Sequence, residues 1–194
     1  MSRSSAATVP RRATVLGGEG TAVNRHTDDD AADSRDAASG GPRFSHIDDD
    51  QPWQEVRRQR HPGGRTASVR EKWFEFSERY LALYARWDPG MMVHAHGHKS
   101  DHVVFVVAGE MTCGDVRCTP GTHIALDEGD TFGPFIAGPE GVELFEVMMG
   151  DPRSFAADPE GWQRLLGEKG VEQLPNPPID MPAFYPDART PPPA

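Results

Sequence analysis

Cysteine is almost missing from this chain: 194 residues hold two, Cys113 and Cys118. A disulfide scaffold is therefore excluded. Long apolar runs are missing as well, and no stretch of 18 or more apolar residues offers a membrane-spanning helix. Positive charge is in deficit, because 20 Lys and Arg against 30 Asp and Glu leave a formal net charge of −10. General nucleic-acid binders and proteins that dock on anionic membranes need basic patches, so neither nucleic acid nor membrane is an expected partner. Hydrophobic residues make up 37% and aromatic ones 8%, while Gly (20) and Pro (18) together take about a fifth of the chain. That mixture describes a compact domain diluted by unstructured chain, not one uniformly packed globule.

The dilution is concentrated at the ends. Residues 1–50 are rich in Ser, Ala, Arg, Gly and Asp, carry the acidic runs Asp28–Asp30 and Asp48–Asp50, and contain a single aromatic residue, Phe44. With no apolar periodicity they cannot bury enough surface to offset their ordering entropy, and they are read as a disordered tail. The Arg11-Arg12 pair is not followed by the apolar stretch that a secretory signal requires. A transit peptide and an upstream-misassigned start codon both remain open, and the expected location is the cytoplasm. Residues 51–68 are read as a linker or leading segment. The last part, residues 151–194, holds eight prolines from Pro175 to Pro193, preceded by a short helix signal. Asp158 is the expected N-cap, Pro159 the first helical residue, Trp162, Leu165 and Leu166 the apolar face, and Gly170 the stop. Beyond it the chain is expected to lie extended over the domain, anchored by Phe184 and Tyr185.

Residues 69–150 are different. Short apolar or alternating runs (73–76, 80–87, 91–98, 102–111, 116–118, 123–126 and 142–149) are separated by turn signals such as Asp88-Pro89-Gly90, Gly114-Asp115 and Thr119-Pro120-Gly121. This predicts an all-β domain, a sandwich or small barrel. Val103–Val107 is apolar at every position, which predicts a strand covered on both sides by a second sheet or a subunit interface.

The chemistry is concentrated in Gly90-Met-Met-Val-His94-Ala-His96-Gly-His98-Lys-Ser-Asp-His102. Four of the eight histidines fall within nine residues. On a strand His94, His96 and His98 share a face, and residues two apart are separated by about 6.6 Å along the backbone. Two such imidazoles can converge on one ion, and His102 is expected to reach it from the start of the next strand, after a short turn.

These residues resemble the cupin superfamily. Its first motif (Gly, five residues, His-x-His, three or four residues, Glu, six residues, Gly) is matched by Gly90, His96, His98, His102 and Gly109, with His102 in the glutamate slot. Its second motif aligns on Gly121, Asp127-x-Gly129, Phe132 and Ile136, so the two glycines remain and Phe132 stands where a metal-binding histidine would. The resemblance implies a small antiparallel double-stranded β-helix, or jelly-roll barrel, with a metal in its mouth, often in a homodimer. It carries over His96 and His98 as ligands, and His102 as a changed one.

A His96/His98/His102 site leaves a divalent ion with its full charge and with positions open for substrate or oxygen. Imidazole suits Fe, with Zn, Ni and Cu as alternatives and Mn as a weaker one, so Fe(II) is favoured. Cupin-like proteins with three-histidine iron include dioxygenases, which makes a mononuclear dioxygenase acting on a small organic substrate the leading expectation. A redox-neutral lyase, isomerase or cyclase is the second, and a non-catalytic ligand-binding cupin the third. Asp101 is a rival carboxylate ligand, although the family spacing favours His102. His94 is expected to line the pocket, Phe132 to form an apolar wall, Tyr84 and Arg86 to orient a carboxylate or else face solvent, and His123 to be a remote fourth ligand.

Overall fold

The computed structural model describes residues 41–185. Nearly all of the expected N-terminal tail, and the prolines from 186 onwards, lie outside the described residues.

The strand pattern of the middle segment is realised, and it begins earlier than residue 69. The described residues form ten antiparallel strands: β1 (Gln54–Arg60), β2 (Thr66–Phe76), β3 (Leu81–Trp87), β4 (Met92–Val93), β5 (His96–Cys113), β6 (Val116–Cys118), β7 (His123–Leu126), β8 (Thr131–Phe132), β9 (Phe135–Ala156) and β10 (Glu172–Gln173). The strand order is β10-β1-β2-β3-β9-β5-β6, with β4 on β9 and with β7 and β8 on β5. The fold is all-β, of jelly-roll type. Residues 54–60, expected in a linker, escape a pattern reading because their sequence, QEVRRQR, has one apolar side chain. The stretch 43–50 is likewise in place: Lys72, buried on β2, donates from Nζ to the carbonyls of Ile47 (2.7 Å) and Asp49.

Alternation decides what is inside. Leu81, Leu83 and Ala85 of β3, Val104 and Val106 of β5, and Val142, Leu144 and Met148 of β9 point into one core with Val69, Met111 and Phe135. Of the two covers expected for the Val103–Val107 run, a second sheet is not the one found: Val104 and Val106 are buried, but Phe105 and Val107 are each 41% exposed on the outer face of the single chain. With Phe145 and Met149 they form an exposed apolar strip.

Two glycines are dictated by close approach. A Cβ on Gly109 (φ 66°) would sit 2.2 Å from the Gly141 carbonyl oxygen, and one on Gly97 would sit 2.3 Å from that of Asp130. No L side chain fits at either position.

The C-terminal helix α1 (Pro159–Lys169) is capped as expected. Gly161 N–H donates to Asp158 Oδ1 at 2.8 Å, and Gly170 ends the helix in the left-handed region. Leu166 is buried with Met92 and Val171, and Trp162 and Leu165 pack on the same cluster. Phe184 and Tyr185 anchor the chain end on Phe76, with ring centroids 5.4 and 5.1 Å away. No helix among the described residues is long and apolar enough to cross a membrane.

Candidate metal centre and its cavity

His96, His98 and His102 sit on one strand, whereas His94, expected on the same strand face, falls in the break between β4 and β5. No turn separates His98 from His102: β5 runs through Lys99–Asp101, and the irregularity lies in its partner, where His98 pairs with Ser154 but Lys99 with Asp151. Two residues of β9, Pro152 and Arg153, are thereby looped out as a bulge. His96, His98, Ser100 and His102 follow each other at two-residue steps, and all four are buried. Ring centroids are 5.1 Å apart for His96 and His98, and 4.6 Å for His98 and His102.

Each ring commits one nitrogen. His96 Nδ1 lies 2.8 Å from the His94 carbonyl oxygen, and His98 Nδ1 lies 2.8 Å from that of Pro152, which the bulge delivers. A carbonyl only accepts, so both rings carry hydrogen on Nδ1 and present a bare Nε2. His102 is reversed. Its Nε2 lies 3.1 Å from Glu146 Oε2, which leaves Nδ1 buried with no partner among the described residues. Holding one ring nitrogen to a carbonyl or carboxylate while freeing the other is how metal-ligating histidines are oriented.

His96 and His98 are also held neutral. Burial pushes the His98 pKa down to about 4 and that of His96 well below its ordinary value, with the charge of Arg57 adding to both effects. His94 is likewise lowered to about 4, by burial and then Arg57. Neutral imidazole is the form that binds a metal.

Convergence is incomplete. Among the described residues no three His, Cys, Asp or Glu side chains come together closely enough to hold an ion. His96 and His98 share one face as expected, and His102, expected on the next strand, lies on the same strand and face; Glu146 holds its ring through Nε2, and its bare nitrogen is not gathered with the other two.

The remaining candidates divide clearly. Phe132 packs against this row, 4.8 Å from His96 and 5.4 Å from His102 by ring centroids, and Phe135 stands behind it at 4.6 Å. His94 lies between His96 (5.2 Å) and Trp162 (6.0 Å). Asp101 is not a rival ligand here: it is exposed, and its Oδ1 accepts the Glu128 N–H at 2.9 Å. Tyr84 and Arg86 point to the outer face, where both engage Glu143 (Tyr84 Oη to Oε2 2.6 Å, Arg86 Nε to Oε1 3.3 Å). His123 is exposed on β7, opposite Phe105. Strand parity explains these outcomes, since Tyr84 and Arg86 alternate with the core residues Leu83 and Ala85.

A cavity of about 720 Å³ opens beside the histidines. His98 lines it together with Arg57 of β1, Glu71 and Trp73 of β2, Leu83 of β3 and Met148 of β9, and the extended segment from Leu174 to Tyr185 closes one side. Three charged residues of the cavity lining, Arg57, Glu71 and Arg153, escape a reading of the sequence, as does Glu146 on His102. For Glu146 a signal exists, because it falls on the inward parity of Val142, Leu144 and Met148. Burial raises the Glu71 pKa to about 7, against an opposing hydrogen bond from Trp73 Nε1–H (2.8 Å), with nearby Glu146 adding to the rise and Arg57 opposing it.

No family model matches the chain, and no curated protein does. Solved structures do. KdgF from Halomonas sp. is 22% identical, with 57% of this chain and 94% of that chain covered and a TM-score of 0.43. An RmlC-like cupin from Shewanella frigidimarina is 19% identical over 56% and 91%, with a TM-score of 0.40. A cupin superfamily protein from Desulfitobacterium hafniense is 17% identical over 43% and 78%, with a TM-score of 0.37. The long paired strands β5 and β9, the inward histidine row and the motif glycines Gly90 and Gly109 at positive φ give this chain a cupin-type fold.

Proposed function

We propose that the chain is a metal-dependent enzyme acting on a small organic molecule, with a divalent ion held by His96 and His98 through Nε2 and by His102 through Nδ1. One observation carries this reading. All three buried rings lock one nitrogen on a fixed acceptor and leave the other bare. The three bare nitrogens are not gathered in this arrangement, so binding includes a movement of side chains. An all-imidazole set suits Fe(II), with Zn, Ni or Cu next, and the finer reading is an iron dioxygenase. When bound, such an ion supplies Lewis acidity and open positions for substrate and oxygen.

The chain's own residues do the rest. Phe132 and Phe135 keep one side of the histidine row dry, and Pro152 and Glu146 hold the rings in orientation. The cavity takes the substrate beside His98. A specific observation supports a second, redox-neutral reading as lyase, isomerase or cyclase. Glu71 lines the cavity with a pKa near neutrality, which lets it hold or release a proton there at working pH.

Metal analysis of anaerobically purified protein tests the proposal. Stoichiometric metal is expected, reduced in His98→Ala and in His102→Ala. Absence of metal in the wild type overturns the reading, and metal retained by His102→Ala removes that residue from the ligand set. Iron with substrate-dependent oxygen uptake selects the dioxygenase, and zinc without it selects the redox-neutral enzyme.

A further inference from the structure

One group in the cavity is unused by the metal reading. Arg57 lies inside the barrel, yet among the described residues its guanidinium has no hydrogen-bond or ion-pair partner; Glu71 and Glu146 act on it only at longer range. Arg57 is half-buried in the cavity wall, so its five N–H donors are available to solvent or to a ligand that enters there. Its inward position is built by the backbone. The register of β1 on β2 slips between Glu55 and Arg57, so the successive residues Val56 and Arg57 both line the cavity, where a regular strand would send them to opposite faces.

We propose that Arg57 is the receptor for the carboxylate of a small organic acid with an apolar body. A planar guanidinium fork matches a carboxylate through two parallel hydrogen bonds. Glu146, and Glu71 when ionised, place negative charge nearby, which favours a singly charged group over a dianionic phosphate. Val56, Leu81, Leu83 and Met148 supply apolar wall for the rest of the molecule. This deepens the small-molecule reading and rests on it for the cavity being a ligand site, but it does not need the metal.

The test is calorimetric titration of the full chain, treated with EDTA, with benzoate, octanoate, benzamide and phenyl phosphate. At least one of the two carboxylates should bind. Benzamide and phenyl phosphate should bind at least about tenfold more weakly than benzoate, and Arg57→Gln should lose carboxylate affinity by a factor of about ten to a hundred. Arg57→Lys, which keeps the charge but not the fork, should fall between. Equal binding of acid and amide, tighter binding of the phosphate, unchanged affinity in a folded Arg57→Gln, or no binding of either acid overturns the proposal. If Arg57→Gln fails to fold, Arg57→Lys and the acid–amide comparison decide it. The metal reading fails separately, on metal content of untreated protein, and that result leaves these titrations untouched.

Discussion

Replacing Glu71 by Gln should stabilise the protein at alkaline pH and much less so in acid. Burial raises this carboxyl from its ordinary 4.5 to about 7, so the folded chain binds a proton that the unfolded chain has already released. Between those two values the native state holds more protons, and stability contributed through this group falls as pH rises. At about 1.4 kcal/mol per pKa unit, the rise from 4.5 to about 7 amounts to roughly 3 kcal/mol of cost at pH 8, a ceiling that water in the cavity lowers. Glutamine removes the titration and keeps an acceptor for Trp73 Nε1–H. Urea denaturation of both proteins at about pH 5 and pH 8 reads the difference, since other titrating groups cancel between them. The variant should gain about 1–3 kcal/mol at the higher pH and about a quarter of that at the lower one, which lies only about half a unit above the ordinary 4.5. An equal gain at both pH values, or a loss at the higher one, would refute the argument that the charged form is what the barrel disfavours.

Histidine gives the opposite slope. With His94 and His98 near 4 and His96 well lowered, the folded state binds fewer protons than the unfolded one, so stability is lost as pH falls from about 6.5 towards 4, and His98→Gln should flatten that loss in denaturation curves. Gly97→Ala drives a Cβ into the Asp130 carbonyl oxygen and the Phe155 ring, and should cost at least about 2 kcal/mol; a melting temperature within a degree of wild type would show that the strands part easily. Phe76→Ala removes the surface under Phe184 and Tyr185, and chymotryptic cleavage at that end should accelerate while the barrel stays intact. Finally, the exposed strip of Phe105, Val107, Phe145 and Met149 should seat a second copy of the chain, so sedimentation should give a dimer and Phe105→Asp a monomer; a monomeric wild type contradicts this.

Strand content, the turn signals, the capped helix and the histidine row were legible in the sequence because each is a local pattern: period-two alternation, glycine at forced backbone positions, and Asp158-Pro159 before an apolar face. His96 and His98 were legible for the same reason, since two-residue steps on a strand share a face, whereas the place of His102 on that same strand was not, because Lys99-Ser100-Asp101 reads as a turn. The first strand was not, because QEVRRQR has no apolar alternation to detect. What only the tertiary structure decided is which side chains meet across strands. Parity sent Tyr84 and Arg86 outward to Glu143. The β9 bulge brought the Pro152 carbonyl to His98, and the β1 bulge turned Arg57 into the cavity. Glu146 captured His102 from a position 44 residues away in sequence. Register and bulges are properties of strand pairs, and a single strand's sequence does not contain them.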